Sequence, residues 1–446
     1  MASNPRTPNA GLAGLLDQAR WSRTQFAMAV NRTGAEAGLS LRYDQSAVSH
    51  WLSGTMPRTQ VRPVIVEALA RRLKRPVTHA EAGLARAAGG ESGSTLDDLV
   101  DVGRADMDPS RRGVLTAGMY SAALAVPLFP DLAGRAEKPP GDTGRTARIG
   151  SGEVATVRTM TEKIADILDE LGGGHARPMA AAFLVNTVAP YLKASAPEPV
   201  RKDMLAAASD LVYLTGWMAM YEREHGLGQR YYVKALKLAG AAEDHITYCR
   251  TLRGMSLQAS NLGYGTKALH LADAAAEASP KAGPRLRAFL AGQQAHAASM
   301  TGDRHTAIAR LRETETALSK ADSRREAIGG YDASAYQFHV SHVLYEFKDL
   351  EGSIRAMQEC LKTQPRQERQ GRLHSHALLA QRQFELGHLE AACATWHLFL
   401  DDYVLLSTAR GDEHFATMRR HIRPYTKTRA VRDLTNRARE VAGAKS

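Results

Sequence analysis

Between residues 154 and 439 one unit recurs five times: an apolar helix, a short turn, then a helix with small residues at close-packing positions. The stretches are GLGQRYYVKALKLA from Gly226, LGYGTKALHLADAA from Leu262, TGDRHTAIARLRET from Thr301, FKDLEGSIRAMQEC from Phe347 and LGHLEAACATWHLF from Leu386. Turns placed at Gly226, Gly263, Gly302, Lys348 and Gly387 lie 37, 39, 46 and 39 residues apart. That is the length of one helix pair. A single pair cannot bury its own apolar face, so neighbours must stack into one continuous core. The expected fold class is all-α, with an alpha-solenoid over 154–446.

A different unit stands at the front, over 21–57. Ser22 is placed to cap a helix over 24–31 whose apolar stripe is Phe26, Ala27 and Val30. A loop containing Gly34 and Gly38 follows. Asp44 then caps a second helix with Ala47, Val48, Trp51 and Leu52 facing inward and Gln45, Ser46, Ser49 and His50 outward. Ser53-Gly54 and Pro57 end it. Two short helices, the second exposing small polar side chains at its start, form a helix-turn-helix reader. The connection from Asn31 to Asp44 is longer than usual, and Leu39, Leu41 and Tyr43 are placed to cover the core. Leu12, Leu15, Leu16 and Ala19 supply a helix before the pair. Val64, Ile65, Ala68, Leu69 and Leu73 supply one after it.

Gln25, Phe26-Ala27, Gln45-Ser46, Val48-Ser49, Trp51 and Gly54 resemble the lambda-repressor/Cro class, or XRE family, of DNA-binding domains. The G-x-x-x-x-A portions at Gly263/Ala268, Gly302/Ala307 and Gly387/Ala392 resemble the tetratricopeptide (TPR) repeat, at a longer period than that family's typical one. The pairing of RYDQSAVSHWLSGTMPR with LTGWMAMYEREHGLGQRYYVKALKLA is similar to the large XRE–TPR regulators of Streptomyces and related actinomycetes. That resemblance implies a cytoplasmic transcriptional regulator.

Charge agrees with a nucleic-acid head on a neutral body. The chain carries +11, of which residues 1–90 hold +7 and 410–446 hold +6, leaving −2 between them. Cys249, Cys360 and Cys393 lie far apart with no CxxC, which argues against a disulfide framework or a zinc site. The first residues lack an apolar leader, so export and membrane insertion are not expected. The division expected is 1–88 as the head, 89–112 as a Gly/Ser/Asp-rich linker with at most a short helix, 113–153 as an anchoring helix with a loose loop, and 154–446 as the repeat body. The anchoring helix would come from the apolar run at 111–129. The basic 410–446 segment is expected to need a partner surface to close its core.

The residues expected to read bases are Gln45, Ser46 and Ser49: glutamine pairs bidentately with adenine and serine adapts to several base edges. Arg23, Gln25, Arg42, His50 and Arg58 are the phosphate candidates, Gln25 through the family resemblance. Trp51 reads as a core anchor. In the body, Trp217, Tyr221, Tyr248, Arg253 and Asn261 are the candidate effector surface for a small molecule or peptide. Helix-pair packing explains the same aromatics equally well. His339/His342 and His374/His376 have no matching carboxylates and read as packing or surface residues. Gly172-Gly173-Gly174 reads as a helix stop. No enzymatic signature is present, and no cofactor or metal is expected. The function expected is sequence-specific binding of double-stranded DNA by a homodimer whose body sets oligomerisation and effector response. The alternative is a protein-interaction scaffold with a non-reading head.

Overall fold

The computed structural model describes residues 7–36, 39–73, 77, 79–84, 95–107, 120–122, 124, 126–133, 148–279, 282–321 and 331–445. It is all-α. Among the described residues the only β-type pairing is an isolated bridge between Arg148 and Ser195.

The head comprises α1 (Ala10–Ala19), α2 (Arg23–Glu36), α3 (Gln45–Leu52), a single 3-10 turn and α4 (Arg62–Leu73). Leu12, Leu15, Phe26, Val30, Val48, Val61, Ile65 and Leu69 form its core. Trp51 is buried at 5% exposure, edge-on to Phe26 and Tyr43. Both expected caps form. Asp44 accepts from Ala47 N at 2.9 Å. Ser22 and Gln25 make a reciprocal capping box, Ser22 Oγ accepting from Gln25 N and Gln25 Oε1 from Ser22 N.

The first reader helix departs from the expected 24–31. It continues to Glu36, so Gly34 lies inside it, while Gly38 lies outside the described residues. The connection is correspondingly shorter and is fastened by one side chain. Asn31 Nδ2 donates to Tyr43 O and Asn31 Oδ1 accepts from Tyr43 N, both at 2.8 Å. Those two bonds replace a backbone ladder and fix the entry to α3.

Residues 89–112 are not simply a linker. Helix α5 (Thr95–Met107) docks on the body. Asp97 pairs with Lys193, Asp98 with Lys234, and the buried Asp106 with Arg177, while Asp106 also accepts from Tyr231 Oη. Acidic residues that look like solvated linker in sequence are here ion-pair partners for distant bases. The expected anchoring helix over 111–129 is also corrected where it is described, since residues 120–122, 124 and 126–128 are not helical. The segment anchors as an irregular strap instead. Ser121 exchanges two backbone hydrogen bonds with the Gln229 amide. Lys267 Nζ donates to Leu124 O, and Tyr248 Oη to Pro127 O. Buried body side chains thus satisfy strap backbone groups that a helix would have paired internally.

The body begins with α6 (Ser151–Leu171) and α7 (Gly173–Phe183), which runs on through one π-helical turn to Lys193. Five helix pairs follow: α8 (Glu198–Tyr221) with α9 (His225–Ala241), α10 (His245–Asn261) with α11 (Gly265–Glu277), α12 (Pro284–Met300) with α13 (Arg304–Ser319), α14 (Ala333–Glu346) with α15 (Leu350–Thr363), and α16 (Arg369–Glu385) with α17 (Leu389–Tyr403). Each pair turns through one left-handed residue: Arg223, Gly263, Gly302, Lys348 and Gly387, at intervals of 40, 39, 46 and 39. The first turn is therefore three residues before Gly226, which sits inside α9. The glycine that matters in that pair is Gly228. A Cβ there would lie 2.9 Å from Gly216 O, so the two glycines let α8 and α9 touch backbone to backbone.

The end of the array departs from the expected need for a partner surface. Helices α18 (Ala409–Ile422) and α19 (Arg429–Lys445) are amphipathic. They bury Met418, Ile422, Val431, Leu434 and Val441 against α17 and leave most of their arginines outside. The basic segment thus closes its own core, because its charges occupy one face. The array also returns on itself. Ser407 N donates to Leu171 O at 2.8 Å, Gly174 N to Ser407 O at 2.9 Å and Ala409 N to Glu222 Oε2 at 2.9 Å, with Arg223 paired to Glu413. The triple glycine makes this clasp possible: Gly172 has φ +91°, and a Cβ there would lie 2.4 Å from Ser407 O.

Candidate nucleic-acid interface and array interior

With the head seated on the body, Gln45, Ser46 and His50 remain exposed and Ser49 half-exposed on the outer side of α3. Its polar edge is pre-set by neighbours. Arg23 Nη1 donates to Ser49 Oγ at 3.1 Å, Ser49 Oγ donates to Gln45 O at 2.8 Å, and Thr24 Oγ1 reaches Gln45 Oε1 at 3.5 Å. Gln45 and Ser46 start the helix, where the chain presents side chains outward along the axis. Gln25 has its oxygen committed to the capping box, which leaves the amide nitrogen as its donor. Arg23, Arg42 and Arg58 are exposed around the same helix pair.

The opposite side of the head is held by α4. Glu67, fully buried, and Glu36 both bind Arg71. Burial opposes charge on Arg71, and these two carboxylates outweigh it, so the guanidinium pKa rises. Tyr264, in the turn of the α10–α11 pair, lies near enough to the same Arg71 to feel its charge and stacks on Tyr120 of the strap at 5.6 Å. Head, strap and body meet there, and α3 does not take part.

A family model for the SP15 N-terminal domain matches residues 12–85. The matched span begins within α1 and ends next to Leu84, the last buried apolar residue of the head, so it coincides with the head as a folding unit. No curated protein matches the chain.

The body candidates are only partly brought together. Trp217 and Tyr221 are neighbours at 5.2 Å, and the Arg253 guanidinium lies 5.9 Å from the Trp217 ring and 4.3 Å from Phe289. Tyr248 belongs to the strap contact, with its ring edge-on to Phe129 and its hydroxyl on Pro127. Asn261 is exposed, its amide near the Met220 sulfur at 3.9 Å.

Closure of the array brings Tyr221 and the histidine pairs together with residues that the sequence did not single out, His296, Tyr331, Phe338, Arg410 and His414. Tyr221 of the first pair meets His374 of the fifth at 6.4 Å, and Arg410 of α18 lies over Tyr221 at 4.4 Å. His374 Nδ1 is 2.9 Å from His414 Nε2. Phe338 links His342 (4.5 Å) to His374 (6.0 Å), and His342 meets His296 at 4.6 Å. Tyr331 Oη is 2.8 Å from His339 Nδ1. Burial, reinforced by neighbouring arginines, holds these imidazoles neutral. His296 and His414 are pushed down to about 3, and His339, His342 and His374 go well below the ordinary value. His376 faces away, beside Arg372, and falls to about 4. The signal in sequence was the two histidine pairs and the recurrence of polar or aromatic residues on alternate helices. Among the described residues no group of three or more His, Cys, Asp or Glu is arranged to hold a metal ion. No described helix is long and apolar enough to cross a membrane.

Proposed function

We propose that the protein is a sequence-specific DNA-binding transcriptional regulator that reads bases with Gln45, Ser46 and Ser49 and grips phosphates with Arg23, Gln25, Arg42, His50 and Arg58. The observation that carries this reading is the α3 edge: a capped helix start with small polar side chains, flanked by arginines, left uncovered while α4 across the head is buried from Val64 to Ala70. The positive charge of residues 1–90 supplies the non-specific attraction such contacts need.

One helix reads only a few base pairs. Dimerisation on paired half-sites is the expected source of specificity, and the body is the part assigned to it. Effector response is assigned to the body as well. Capture of bound genomic fragments followed by footprinting tests the reading and supplies the operator. Gln45→Ala should then lower operator affinity relative to random DNA by roughly 1–3 kcal/mol, the value of one bidentate base contact. An unchanged operator-to-random ratio in that variant rejects the base-reading assignment. A chain that retains proteins but no duplex DNA fragment supports the scaffold alternative.

A further inference from the structure

Two arginines one turn apart on α10 are treated differently by the fold. Arg250 pairs with Asp210 at 3.1 Å while lying over Tyr213. Arg253 is 7% exposed and lies between Phe289 and Trp217, and its Nε has no hydrogen-bond partner among the described residues. Among the described residues, the titratable groups around it are neutral phenols and imidazoles, Tyr213, Tyr221, Tyr232 and Tyr331, then His296 and His339, with the cationic Arg382 beside His296. Asp210 of α8 and Glu222, which caps that helix, are engaged elsewhere, Asp210 by Arg250 and Thr247 and Glu222 by Ala409 N. More buried polar atoms lack a partner in the array interior. His296 Nδ1, His339 Nε2, His342 Nε2 and the Tyr232 hydroxyl, all buried atoms, find no partner among the described residues. A buried guanidinium with no carboxylate is costly, and so is each unmade hydrogen bond. An oxyanion ligand would satisfy both.

We propose that the array interior binds a compact, multiply charged oxyanion, a phosphate or a polycarboxylate, between Arg253 of α10, His296 of α12 and His339 of α14. Arg253 supplies the fixed charge and a planar set of donors. The two imidazoles supply N–H donors and take up a proton when the anion offsets their burial. The aromatic walls at Phe289, Tyr331 and Trp217 exclude water around the charge, and Trp217 is itself half-buried. The ligand lies in the body, as the effector reading requires, but the site is defined by its own donors and is tested without DNA.

The test uses the full chain with inorganic phosphate and citrate as separate probes, and potassium chloride at matched ionic strength as the control. One or both anions should raise the thermal midpoint saturably where chloride does not. At a concentration 100 times its dissociation constant, the bound anion should slow amide exchange about 100-fold in the segments around Arg253, His296 and His339 where exchange requires opening of the site. Response to phosphate alone, citrate alone or both distinguishes the two ligand classes. Arg253→Met should abolish the saturable shift, and Arg355→Met, an exposed residue of α15, should retain it. The proposal is overturned if neither anion gives a saturable shift, if Arg253→Met responds as wild type does, or if protection falls on the basic face of the head. Should Arg253→Met fail to fold, the exchange map of the wild-type chain decides.

Discussion

Acid should unfold this protein well before its carboxylates are neutralised, and the buried imidazoles set the size of the effect. His296 and His414 are held down to about 3, and His225 and His376 to about 4, in each case chiefly by burial. In the unfolded chain a histidine titrates near 6.5. A folded-state value below the unfolded one contributes stability that is complete above the unfolded value and is lost as pH falls toward the folded one. Between pH 6.5 and pH 5 the unfolded chain takes up the proton and the folded chain does not. Those 1.5 pH units, at about 1.4 kcal/mol each, remove about 2 kcal/mol per histidine. Four such groups together would remove about 8 kcal/mol, comparable with the whole stability of an ordinary domain, and relaxation around coupled rings reduces that total. Asp210, Glu222 and Asp402 act in the other direction, because burial raises their pKa values. The clean measurement is therefore a difference. Urea midpoints of wild type and His296→Gln are followed by tryptophan fluorescence at pH 7.5, 6 and 5. Wild type should lose stability over this range, and the variant should lose about 2 kcal/mol less of it. Equal pH slopes for the two proteins would show that His296 is not held neutral in the folded chain, and the burial argument would fall.

Other consequences are local. Arg42→Ala should weaken specific and random DNA about equally and make the salt dependence shallower, read by titrations at several salt concentrations. Asn31→Ala strands Tyr43 N and O and should lower stability by about 1–3 kcal/mol, with operator affinity falling because α3 loses its anchor; urea unfolding and DNA titration report the two effects. Gly172→Ala forces a side chain into φ +91° against Ser407 O and should accelerate amide exchange in α18 while leaving α10–α13 unchanged. For oligomerisation, a fragment covering 150–446 is expected to self-associate while 1–88 stays monomeric; sedimentation giving a dimeric head and a monomeric body would reverse that assignment.

What the sequence determined by itself is what depends on near neighbours along the chain. The 3.6-residue periodicity, the Asp44 and Ser22 caps, the positive-φ turns at Gly263, Gly302 and Gly387, and the inward side of Trp51 each involve groups a few residues apart, and all were legible. The exposed edge of α3 was legible for the same reason, since a helix with one apolar stripe has only one other side to show. Turns at Arg223 and Lys348 strain that logic, because nothing local marks a cationic residue for the left-handed region; Lys348 was placed only by its spacing from the glycines. Tertiary structure decided everything that pairs residues tens to hundreds of positions apart. Asp97, Asp98 and Asp106 became docking groups only once Lys193, Lys234 and Arg177 faced them. The triple glycine looked like a helix stop until Ser407 arrived beside it. The interior set of Arg253, His296, His339, His374 and His414 comes from five separate helices, and each residue alone is an ordinary polar position. They meet because the small rotation between successive helix pairs accumulates until the fifth pair and α18 reach the first, and that angle is set by packing between helices rather than by any local run of residues.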